Sequence, residues 1–119
     1  MKNFRDLKVW QKSHQLTLDT YKTTATFPKE EQYGITSQMR RAASSVSANI
    51  AEGCCRGSDA DFARFLQIAI SSASELEYFL LLSHDLNLLE LAHYQQLHSD
   101  VTEAKRMLTA LIQKLKAGS

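Results

Sequence analysis

Residues 35–55 constrain this chain more than any other stretch. Ile35, Met39, Ala42, Ala43, Val46 and Ile50 recur at spacings of three and four and make an apolar stripe along one side of a helix. The opposite side carries Ser44, Ala48, Ala51 and Cys55, all small. A helix backed by water shows long charged side chains there. Small ones let a second backbone come close. The segment is therefore expected to pack twice, once in its own core and once against another surface.

Three further segments show the same periodicity. A first helix is expected from about Asp6 to about Ala25, with Leu7, Trp10, His14, Leu18, Tyr21 and Ala25 as its core stripe. Val9 and Leu16 lie almost opposite and form a second apolar patch. Phe27-Pro28 ends this helix, because the residue before proline avoids helical dihedrals. Pro28-Lys29-Glu30-Glu31 suits a short helical turn, and Gly34 opens the second helix, Ile35 to Cys55. Ser58, with Asp61 three residues on, resembles a capping box that starts a third helix at about Asp59. Its stripe is Phe62, Phe65, Leu66, Ala69, Ala73, Leu76 and Leu80, and Asn87 is a left-handed stop after about Leu86. A helix of that length spans about 40 Å. The fourth runs from about Glu90 to about Lys116 with Tyr94, Leu97, Val101, Ala104, Leu108, Leu111 and Leu115 on a single face.

Four long helices with short connections predict an all-α, antiparallel up-and-down four-helix bundle. The 119 residues fit one domain, 1–119. Helices 1 to 3 carry more apolar or small surface than one core needs. A closed homo-oligomeric ring accounts for it, with Val9, Leu16, Ser44, Ala48, Ala51 and Cys55 at the subunit interface.

The net charge of +1 lends no support to strong nucleic-acid or membrane binding. The charge is unevenly placed, however. Residues 1–56 hold nine basic and five acidic side chains, whereas residues 57–119 hold five and eight. Lys8, Lys12, Arg40, Arg41 and Arg56 would form a basic patch if helices 1 and 2 are neighbours, and a ring would repeat it. Adjacent Cys54 and Cys55 make no Cys-x-x-Cys pattern. With no signal peptide and no apolar run near 18 residues, the expectation is a cytoplasmic protein with reduced thiols and no membrane contact.

Catalytic patterns are sparse. Carboxylate-bridged metal bundles use paired Glu-x-x-His motifs, and Glu90-Leu91-Ala92-His93 stands alone. Ser44, Ser45 and Ser47 have no placed histidine, while His14, His84, His93 and His98 are scattered. No catalytic residue, cofactor or metal is expected. Arg40, Arg41, Asn49, Glu52, Glu75 and Glu77 read as structural polar groups. Glu75 or Glu77 would pair with Arg40 or Arg41 across helices, and Asn49 would bond to a neighbouring backbone.

Several motifs carry a family resemblance across nearly the whole chain. They are Phe4-Arg5-Asp6-Leu7-Lys8-Val9-Trp10-Gln11-Lys12, Phe27-Pro28 with Tyr33-Gly34, Gln38-Met39-Arg40-Arg41-Ala42-Ala43-Ser44-Ser45, Ala48-Asn49-Ile50-Ala51-Glu52-Gly53 and Ser74-Glu75-Leu76-Glu77. The chain resembles the four-helix-bundle proteins encoded by intervening sequences of bacterial 23S ribosomal RNA genes. Those are relatives of the accessory proteins of diversity-generating retroelements. The resemblance implies a homopentameric ring and no established enzyme activity. In the retroelement branch it implies binding to nucleic acid and a reverse transcriptase through basic surface. The reading is thus a non-catalytic homo-oligomer acting in interaction or scaffolding, with a nucleic-acid-binding accessory as the alternative.

Overall fold

The computed structural model describes residues 3–118. Each periodic segment is a helix: α1 Lys8–Thr24, α2 Ile35–Cys54, α3 Asp59–Asp85 and α4 Leu91–Ala117. Single 3-10 turns, Phe4–Asp6 and Lys29–Glu31, precede α1 and α2. No strand occurs among the described residues. The Ser58 hydroxyl accepts the Asp61 N–H at 3.1 Å and so caps α3. At the other end of α3, Asn87 takes φ 62°. There the Leu88 N–H donates to Ser83 O at 2.9 Å and the Asn87 N–H to His84 O at 3.0 Å. That is a Schellman closure, which answers the last carbonyls of the helix.

The helices form a square bundle 47 Å long and about 20 Å across. α1 packs on α2 and α4, and α3 packs on the same two, so α1 and α3 lie on one diagonal. Met39, Ala42, Val46, Ile50, Leu66, Ala69, Ala73, Leu76, Leu80, Val101 and Leu108 are wholly buried along the axis. α2 lies close against α3 at Gly53, where an added Cβ would stand 2.7 Å from Phe65 Cβ.

α1 is turned the opposite way from the sequence expectation. Its buried residues are Val9, Ser13, Leu16, Thr20, Thr23 and Thr24. His14, Leu18 and Tyr21 of the expected core stripe are exposed, and Leu7 and Trp10 are half-buried. Val9 and Leu16, 5% and 2% exposed, therefore belong to the subunit's own core and not to an interface between subunits. Hydroxyl side chains make this orientation tolerable. Thr20 and Thr24 donate to the carbonyls of Leu16 and Thr20, each at 2.8 Å, so they enter the core already hydrogen-bonded. Thr17 Oγ1 lies 3.1 Å from both Ala43 O and Ser47 Oγ, which ties α1 to α2.

An 18-residue window of α3 reaches a mean hydropathy of 1.3, so by length and composition this helix could cross a membrane, unlike the sequence expectation. In the bundle its main stripe seats on α2 and α4.

Candidate functional site

The rotation of α1 puts its aromatic and apolar stripe on the outside. Phe4 meets Trp10 edge-on, with ring centroids 4.9 Å apart, and Trp10 stacks on His14 at 4.7 Å. Leu18 and Tyr21 continue the row at 43% and 45% exposure. Tyr21 carries the Arg40 guanidinium on its face, 4.7 Å from the ring centroid. Beside this ridge runs the outer side of α2, where Ser44 and Ala51 are half-buried and Ala48 and Cys55 exposed. α1 and α2 thus present a ridge of rings next to a trough of small side chains. Four of the six expected interface residues lie along that trough. Sequence reasoning missed Trp10, His14, Leu18 and Tyr21 as outward groups because it assigned them to the core. The signal was available in the hydroxyl series Ser13, Thr17, Thr20 and Thr24, whose spacing marks a close-packed helix face.

The structural polar residues divide into separate pairs. Arg41 Nη2 reaches both oxygens of Glu75, at 2.9 and 3.0 Å, and ties α2 to α3 as expected. Arg40 takes no carboxylate and donates instead to Thr24 Oγ1 at 2.8 Å. Glu77 does not meet an arginine. It accepts from Lys105 Nζ at 3.0 Å and lies 3.1 Å from His98 Nε2, both on α4. The Lys105 hydrogen bond holds the Glu77 carboxyl below its ordinary range, against the opposing effect of burial. Asn49 donates to Ser45 O of its own helix at 2.8 Å, and Glu52 pairs with Arg56 at 2.7 Å.

The proposed basic patch is not gathered on one surface. Lys12 pairs with Asp100 of α4 at 3.1 Å, while Arg41 pairs with Glu75 of α3, so the two cations face different seams. Arg56 stands over the Phe65 ring with Glu52 as its partner, and Lys8 is exposed.

One hydroxyl meets an imidazole. Thr23 Oγ1 lies 3.1 Å from His93 Nε2. Thr23 is buried, and no hydrogen bond among the described residues orients the second nitrogen of His93, so the pair lacks the third member that nucleophilic sites use. His84 Nδ1 donates to Leu89 O at 3.0 Å while its ring stacks on Tyr94. Among the described residues no three His, Cys, Asp or Glu side chains converge as metal ligands.

Comparison with known proteins adds two findings. The family model of the 23S rRNA-intervening sequence protein matches residues 5–110. A solved structure from Bacteroides thetaiotaomicron, described as a protein of unknown function from the S23 ribosomal protein family, is similar with a TM-score of 0.79 at 29% identity. The likeness covers 87% of this chain and 97% of that one. Among curated proteins no relative matches. Neither description names a catalytic activity.

Proposed function

Because the chain belongs to the 23S rRNA-intervening sequence protein family, whose description carries no activity, we propose a non-catalytic interaction protein. In this reading it is cytoplasmic and works as a homo-oligomeric scaffold. The observation that carries it is the outer face of α1 and α2. Trp10, His14, Leu18 and Tyr21 stand there beside Ser44, Ala48 and Ala51 with no carboxylate among them. Aromatic side chains left in contact with water favour burial, and a row of small residues admits them. Ridge and trough sit on adjacent helices of one subunit. Seating the ridge of one copy in the trough of the next is then a heterologous contact, which closes into a ring when the rotation fits. The stoichiometry of five comes from the family resemblance. Light scattering at micromolar concentration is the test. A mass of five subunits is the expected result, another closed oligomer would replace the stoichiometry, and a monomer would overturn the reading.

A further inference from the structure

We propose that α1 is a detachable arm, which swings away from the bundle on the connection 25–34 while α2, α3 and α4 stay folded. This concerns the subunit alone and does not rest on the scaffold reading.

What α1 puts into the core is slight. α2 buries Ile35, Met39, Val46 and Ile50, α3 buries Phe62, Leu66, Leu76 and Leu80, and α4 buries Leu97, Val101, Leu108 and Ile112. α1 buries two aliphatic side chains, Val9 and Leu16, and otherwise hydroxyls, those of Ser13, Thr20, Thr23 and Thr24. Phe4, Leu7 and Trp10 add half-buried contact near its start. Ser13 is wholly buried and its Oγ has no hydrogen-bond partner among the described residues, a cost that opening the helix relieves. Leu18 and Tyr21 already stand in water, so opening exposes little more of them.

The seams agree with this. Thr17 holds Ala43 O and Ser47, Thr24 accepts from Arg40, Lys12 pairs with Asp100, and Thr23 meets His93. Water replaces such polar contacts at little net loss, whereas buried apolar surface has no substitute. Beside Thr23 and His93 the α1–α4 seam opens into a cleft of about 430 Å³ that also touches Lys22 and Gln96. α2 and α3, by contrast, lie so near at Gly53 that a methyl would not fit. Because α3 packs on both α2 and α4, these three keep a shared core when α1 leaves. Phe27, 8% exposed, stays seated in the connection as the point about which the arm turns. The helix that carries the outward aromatic row is thus the most loosely held of the four. Its departure uncovers the side of α2 that holds Ala43 and Ser47.

Native-state hydrogen exchange, followed by mass spectrometry in low urea, is the test. It is run on the wild-type chain and on Ala48→Glu, which keeps any partner copy off the aromatic row. Light scattering reads the mass of both, so a failure of the scaffold reading is seen separately. The inner amides of α1 are expected to exchange at least about tenfold faster than those of α3, with a weaker urea dependence because less surface opens. Gly53→Ala loosens α2 against α3 and should speed α3 exchange about fivefold while leaving that of α1 unchanged. Ser13→Ala removes the unanswered hydroxyl and should slow α1 exchange about threefold. If α1 opens first only in Ala48→Glu, a partner copy holds the arm closed and the assignment stands. If α1 and α3 exchange at one rate and answer urea alike in both chains, or if Gly53→Ala speeds both equally, the assignment is overturned.

Discussion

At Gly53 two opposing residue-level effects can be weighed directly. Alanine is favoured over glycine inside a helix by about 1 kcal/mol. Here the added methyl would stand 2.7 Å from Phe65 Cβ and 2.9 Å from Phe62 Cδ1. Phe65 Cβ is fixed to the α3 backbone, so relief requires the helices to part. Forced overpacking costs about 1–3 kcal/mol, which exceeds the propensity gain. Gly53→Ala is expected to destabilise the subunit by about 1 kcal/mol in urea denaturation, the reverse of its helix propensity. The glycine belongs to the Ala48–Gly53 motif visible in the sequence, but its reason lies on another helix. Spacing along one segment cannot show where a neighbour comes nearest. Ser58 and Asn87 were legible for the opposite reason, because a cap and a left-handed stop are settled by a few adjacent residues.

The elements were legible in number, type and bounds, since each amphipathic segment carries its own period. The facing of α1 was not. Both of its sides are apolar enough to serve, and the larger side chains lie on the side that faces out. Depth of packing decided between them: Ser13, Thr20 and Thr24 let α1 approach closely, where Trp10, His14 and Tyr21 would hold it away. This assignment can be tested with one substitution on each face. Leu16→Ala should cost about 2–5 kcal/mol of subunit stability through lost burial and a residual cavity. Leu18→Ala, on the exposed row, should change it by less than about 0.5 kcal/mol. The original stripe would require the opposite order. The α3–α4 seam makes a second, electrostatic prediction. Glu77 is held below the ordinary carboxylate range first by Lys105 and then by His98. A group with a lowered folded pKa contributes stability above its unfolded pKa and loses it as pH falls through the folded value. Acid should therefore remove this contribution below the ordinary carboxylate range, and Glu77→Gln should flatten that part of the stability–pH curve. The effect should be small, because Glu77 and His98 are both in contact with water.

For the whole molecule, the question is whether the ridge and trough of α1 and α2 meet a second copy. The sequence showed α2 to be two-faced because small residues replace charged ones on its outer side. It could not show that α1 supplies the ridge beside them, since that depends on the rotation of α1. Two substitutions separate the inner face of α2 from the outer. Val46 is wholly buried, so Val46→Glu puts an unpaired carboxylate into the core, and the subunit should lose its helical signal. Ala48 is exposed in the subunit, so Ala48→Glu should leave helicity and the subunit fold intact. In a ring the same carboxylate would enter a close-packed contact beside the partner's aromatic row. An uncompensated buried charge there costs several kcal/mol at each contact, repeated around the ring. Ala48→Glu is therefore expected to give folded subunits of reduced assembly mass in light scattering, and Val46→Glu to give unfolded chain. The sites are two residues apart on one helix and receive the same side chain, so the introduced charge is common to both, and helix propensity alone would favour the Val46 change over the Ala48 change. Native assembly mass for Ala48→Glu would place the trough in water and leave the aromatic row of α1 without the partner proposed for it.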